Sequence, residues 1–147
     1  MRIGRVVVSA LSVGVLVISA SLVSSPEAHA AIKTIGECDL LFDYPHGSVH
    51  AGGSVSADMR IKCRTPQRYL GVDAILYRTY PGSDYSWRIP AKNKGENVNY
   101  MSAVAAESCQ KATYRSEANY LIIDNNGVRH EEFGYKSKSI FNPCDLP

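Results

Sequence analysis

The sequence predicts an all-β fold, most simply an antiparallel sandwich, and three observations carry that expectation. Apolar and polar residues alternate with period two along much of the chain after residue 30, the pattern of strands with one buried face. Turn-forming clusters separate the alternating stretches at short intervals, and helical periodicity is almost absent. Four cysteines follow an N-terminal stretch that reads as an export leader, which makes disulfide staples the expected use of the sulfur.

Residues 1–30 have the three-part layout of a secretory signal peptide. Arg2 and Arg5 give a cationic start, an uncharged apolar run spans 6–23, and Ala28-His29-Ala30 supplies a small-x-small cleavage site. The competing reading is a membrane anchor, since that run nears the minimum spanning length. Four serines interrupt it, however, and no cationic stop-transfer cluster follows. Cleavage after Ala30 is therefore expected, leaving one secreted domain over 31–147 without stable membrane insertion. The first cysteine, Cys38, lies too far from the apolar run to carry a lipid.

In the mature part, Val55, Ala57, Met59, Ile61 and Cys63 alternate with Ser56, Asp58, Arg60 and Lys62, which predicts a half-buried strand over 54–63. Residues 69–80 are largely apolar and aromatic and read as a second strand. The turn Pro81-Gly82-Ser83-Asp84 follows. Tyr85, Trp87 and Ile89 then mark a third strand that Pro90 is expected to end. Residues 92–96 read as a loop and 98–104 as another strand, with the alanine-rich 101–109 open to a helical turn. From 112 to 123 one face carries Ala112, Tyr114, Ser116, Ala118, Tyr120 and Ile122. Asn126-Gly127 predicts a tight hairpin turn, with 128–135 and 137–141 returning antiparallel.

About seven one-sided strands of this kind are best buried in an immunoglobulin-like sandwich, with a small β-barrel as the alternative. The immunoglobulin family's own marks are missing: Glu107, not tyrosine, stands two places before Cys109, and Trp87 is far from Cys63. The four cysteines allow three pairings. Cys38–Cys63 and Cys109–Cys144 are favoured because sequence neighbours tend to sit on neighbouring strands, and no C-x2-4-C spacing supports zinc. The segment from Cys109-Gln110-Lys111-Ala112-Thr113-Tyr114-Arg115 through Asn126-Gly127 to Ser139 and Cys144 resembles small exported proteins of Gram-positive bacteria. The resemblance implies the β-sandwich and the Cys109–Cys144 bridge; that group has no shared activity, so it implies no function.

The chain holds 16 basic and 14 acidic residues; Arg2, Arg5 and Glu27 belong to the leader, leaving 14 against 13, a net charge of +1. Such a balance argues against nucleic acid or an anionic membrane as partner. Asp43, His46 and His50 lie close in sequence, but Pro45, Gly47, Gly52 and Gly53 argue against the helix a metal pair would need. No metal and no cofactor is expected. His130 with Glu132 or Glu117 and an arginine is the set a small exported nuclease would need, although solvated hairpin charges explain the same residues. Calcium is not expected at Asp124-Asn125-Asn126-Gly127, which lacks a full ligand series. Tyr80, Tyr85 and Trp87 flank the 81–84 turn, and amphipathic rings on a rigid hairpin make good contact surfaces. In a second reading, Tyr85 and Trp87 fill the core. The expectation is a secreted binding protein without catalytic activity, an inhibitor or envelope-associated module facing an extracellular protein or an envelope polysaccharide.

Overall fold

In a computed structural model, residues 31–47 and 53–145 are described. Residues 1–30, read from the sequence as a leader, and His50 lie outside the described residues. Eight strands follow in order: β1 Ala31–Ile35, β2 Cys38–Phe42, β3 His46–Gly47, β4 Ser54–Thr79, β5 Ser86–Ser108, β6 Thr113–Ile123, β7 Arg129–Lys136 and β8 Ile140–Phe141. One turn of 3-10 helix, Pro143–Asp145, comes last, and the described residues contain no α-helix.

The frame of the molecule is the long β4–β5 hairpin. β5 pairs with β4 along both halves of its length, from Ser54↔Ser108 to Thr79↔Ser86. On its other side, β4 pairs first with β3 and β2, through Gly47↔Val55 and Cys38↔Cys63, and then with β6, from Tyr69↔Ile123 to Thr79↔Thr113. A register shift between Lys62 and Gln67 bends the hairpin at the junction. β1 extends the sheet beyond β2, and β7 and β8 extend it beyond β6.

The bend turns the two halves of one sheet face to face. Contacts across the interior join them: the Tyr120 hydroxyl donates to Leu41 O at 2.8 Å, and Ser116 Oγ donates to Asp43 O at 3.0 Å. The Phe42 and Tyr135 rings meet edge to face at 4.8 Å, and Lys33 bonds Glu132 at 2.6 Å. The sheet therefore nearly closes along the β1–β2 and β7 seam. It is continuous through β4, as in a barrel, and two-layered, as in a sandwich.

Alternation puts one row of each strand into the core. Leu40 and Phe42 come from β2; Val55, Ala57, Met59 and Ile61, then Leu70, Val72, Ala74 and Leu76, come from β4. Met101, Ala103 and Ala105 come from β5, and Tyr114, Ala118, Tyr120 and Ile122 from β6. Full burial of each large apolar side chain contributes about 1.5–3 kcal/mol. Both expected disulfides are present, and no free cysteine is. Cys38–Cys63 links directly paired residues of β2 and β4. Cys109–Cys144 ties the end of β5 to the final turn across 6.3 Å between Cα atoms.

Several local expectations are corrected. Residues 64–68 and 92–96 belong to strands, so what read as four strands is one hairpin. Pro90 does not end a strand: β5 pairs only with β4, and an edge position tolerates the missing N–H. The alanine-rich 101–108 is strand, because its alternate members Met101, Ala103 and Ala105 face the core. Gly127 alone in the Asn126-Gly127 pair takes a left-handed φ, +81°. The turn is accordingly wider than a two-residue hairpin: Asp124 Oδ1 accepts the backbone N–H groups of Asn126 and Val128 at 2.9 and 2.8 Å. The β1–β2 hairpin was not foreseen at all. Gly36, with φ +58°, holds the first central position of its two-residue turn.

Candidate functional site

The β4–β5 hairpin runs past the layer that covers it, and its last core-facing residues emerge into solvent. On β4 the inward row Leu70, Val72, Ala74, Leu76 continues to Arg78 and then Tyr80. On β5 the facing row Ala91, Ile89 continues to Trp87, which pairs directly with Arg78. Past Leu76 and Ile89 the second layer ends. Tyr80, Tyr85 and Trp87 are 39, 63 and 52 % exposed. The turn between them follows its sequence: Pro81 and Gly82 (φ +76°) are the central residues, and Ser83 N–H donates to Tyr80 O at 3.1 Å.

The tip is ordered by stacking and charge. Tyr85 and Trp87 meet edge to face with centroids 5.4 Å apart. The Arg78 guanidinium carbon lies 5.0 Å from the Tyr80 centroid and 6.0 Å from that of Trp87. Arg78 Nη1 also bonds Glu107 Oε2, which ends the inward row of β5. Arg78 Nε and Glu107 Oε1 are buried with no hydrogen-bond partner among the described residues. The pair thus plugs the mouth of the core beside Tyr114, whose phenol burial pushes up. Arg78 is absent from the sequence expectations, and Glu107 enters them for its spacing from Cys109, not as a partner of Arg78. The signal was available as the charged ends of two apolar period-two rows.

A second surface lies on the opposite face of the same hairpin. Tyr69, Gly71 and Asp73 on β4 sit beside Lys94 and Lys92 on β5 and beside Leu121 and Asn119 on β6. β7 adds Arg129, Glu131 and Phe133, and together these residues line a groove of about 470 Å³. Its floor is low because Gly71 has no side chain: a Cβ there would meet Tyr69 Cε1 at 3.2 Å and Leu121 Cβ at 3.6 Å. Its wall is raised at Phe133, 65 % exposed, by a bulge in β7. Gly134 turns that bulge with φ +68°, and its N–H donates to Asn119 Oδ1 at 2.9 Å. Lys92 bonds Asp73 at 2.9 Å, and Arg129 pairs with Glu131.

The titratable residues singled out earlier are dispersed. His130 Nε2 stands 3.5 Å from Asp124 Oδ2, bracing the 124–128 turn. The backbone N–H of Val128, then His130 and Asn126, holds the Asp124 carboxyl below its ordinary value. Glu132 bonds Lys33 on β1, and Glu117 faces Lys136 at 3.8 Å. None of His130, Glu132 and Glu117 lines the groove. His46 Nδ1–H donates to Tyr44 O at 2.8 Å and lies 3.9 Å from Asp43. Burial, opposed by His46, raises the Asp43 carboxyl. Among the described residues no three His, Cys, Asp or Glu side chains converge as metal ligands.

Compared with protein-family models and with curated proteins, the chain matches none.

Proposed function

We propose that this chain is an exported, non-enzymatic binding protein that engages an extracellular protein through the Tyr80, Tyr85 and Trp87 tip. One observation carries the reading. Two of the largest side chains in the chain, Tyr85 and Trp87, stand more than half exposed at the end of a hairpin, packed edge to face, with Trp87 also beside an arginine held by its own counter-ion. Tyrosine, tryptophan and arginine are the residues that dominate binding energy at protein interfaces, and rings already fixed in place lose little entropy on docking. The tip is convex, so it suits a pocket or cleft on a partner. Export is supported by the layout of residues 1–30 and by two disulfides, which persist in oxidising compartments.

A small exported nuclease using His130 with Glu132 or Glu117 has less support. Each of the three already serves a local partner, Asp124, Lys33 and Lys136 respectively.

The test is photo-crosslinking in the exporting cell from position 85, with position 111 as control. A discrete extracellular protein joined at 85 and not at 111 is expected. Trp87→Ala and Tyr85→Ala should each weaken its binding by about 2 kcal/mol while leaving the melting temperature within a degree or two, because both rings are exposed. Crosslinking equal at both positions, or undiminished binding by both variants, refutes the proposal.

A further inference from the structure

We infer that the groove on the outer face of β4, β5, β6 and β7 binds an extended, hydroxyl-rich glycan chain of low charge. The site uses none of the tip residues and occupies the other face of the hairpin, so it is a second contact and not a restatement of the first.

Shape comes first. The long side chains of β5 and β7 form two walls three strand spacings apart, about 14 Å, over the low floor of Gly71 and Leu121. A volume of about 470 Å³ is ample for two or three linked sugar rings. Chemistry then selects among chain ligands. A peptide laid in the groove would find no free backbone ladder, because β4 and β6 are paired on both sides. Sugars need none: their hydroxyls take side-chain donors and acceptors, and the flat C–H faces of their rings pack on aromatic side chains.

Both kinds of partner are present. Tyr69 lies against the backbone of Gly71 on the floor, and Phe133 stands on the β7 wall. Between them are the Asn119 side-chain NH2, whose oxygen is already fixed by Gly134, and the Asp73 and Lys92 head groups. The charges argue against a polyanion. Lys92 and Arg129 are neutralised by Asp73 and Glu131, which leaves Lys94 as the one lining cation without an ion pair among the described residues. A strongly acidic polymer would meet two carboxylates in the groove and gain little from the lysine.

Gly71 and Gly134 supply an independent structural sign. Neither is required by strand formation, and glycine weakens a strand interior. Here one glycine leaves room for the Tyr69 ring, whose Cε1 would stand 3.2 Å from a Cβ, and the other takes φ +68° in the bulge beside Phe133, so both shape the groove.

The test is an amide-resolved NMR titration of the exported protein with the hexamers of β-1,4-linked N-acetylglucosamine and of β-1,4-linked glucose. Saturable shifts from at least one of them at Gly71, Asn119, Leu121 and Gly134, with the Trp87 indole unmoved, are expected. Phe133→Ala, at a residue already exposed, should weaken binding at least about tenfold without changing the melting temperature. Tyr69→Ala should weaken binding comparably, and Trp87→Ala should leave affinity within twofold. Absence of shifts with both sugars at millimolar concentration overturns the inference and leaves the tip proposal standing. Shifts centred on Tyr85 and Trp87 also overturn it, and so does preferential binding of poly-glutamate that Lys94→Ala abolishes.

Discussion

Single polar groups decide how the two layers of this sheet hold together. Tyr120 is 2 % exposed, and its hydroxyl reaches across the interior to the Leu41 carbonyl. Burial pushes its phenol above the ordinary range, which favours the protonated, donating form of the hydroxyl. Tyr120→Phe keeps the ring packing and removes that bond together with the long contact to Met59 Sδ at 3.9 Å. A loss of about 1–2 kcal/mol in unfolding free energy is expected, read from denaturant midpoints with an unchanged slope. Asp124 gives a pH-dependent counterpart. Its carboxyl accepts two backbone N–H groups and His130, which lowers its pKa in the folded state from the ordinary 3.8. A lowered carboxyl contributes stability that is complete above the unfolded value and disappears as pH falls through the folded one. The protein should therefore lose stability on acidification below about pH 3.8, and Asp124→Asn should flatten that limb of the profile. An identical acid limb in both proteins would show that the 124–128 turn contributes nothing there.

Elements were legible where one rule governed them and misread where two rules competed. The rows Val55 to Cys63 and Ala112 to Ile122 follow period two without interruption, and both are strands with the predicted faces. Around residues 90–96, Pro90 and Gly95 are local breakers, yet pairing with residues 69–75 of β4 holds the backbone extended. Tertiary pairing won because the hairpin register was already set on either side. β1 escaped notice because its alternation, Ile32 and Ile35 about Lys33 and Thr34, is short and imperfect. For the sites, the sequence pointed to Tyr80, Tyr85 and Trp87 as an aromatic cluster but left open whether they fill the core. Period two places Trp87 on the core face, and only the lengths of the neighbouring strands reveal that no layer covers that face at the tip. The groove was invisible for a similar reason. Its residues come from four strands and acquire meaning only once the register brings Gly71 beside Leu121 and Lys94.

At the scale of the whole molecule, one hairpin and two disulfides divide the task of closure. β4 and β5 carry both layers, and Cys38–Cys63 lies close to the bend, between residues that the ladder already pairs. The C-terminal segment has much less to hold it. After β7, among the described residues, two ladder pairs, Thr113↔Phe141 and Tyr114↔Ile140, join the sheet, with Ser137 N–H bonding Ser116 O and Asn142 N–H bonding Ala112 O. Cys109–Cys144 anchors that segment to the base of the hairpin, where Cys109 N–H also bonds Gly53 O at 2.7 Å. Its loop spans a sequence separation of 35 residues, and loop entropy assigns a closure of that size about 4 kcal/mol. That is a large share of the roughly 5–15 kcal/mol that holds a domain of this kind. The double variant Cys109→Ala/Cys144→Ala should therefore unfold at markedly lower denaturant. In native-state hydrogen exchange its residues from about 137 onward should open before the β4–β5 ladder does. Intact-mass analysis supplies the control: reduction should add about four hydrogens, two per bridge, and cleavage where the sequence predicts it would give a chain that begins at Ala31. If the C-terminal amides stay as protected as those of β6 in the double variant, β8 and the final turn hold the seam by packing alone, and the bridge would matter only to the unfolded chain.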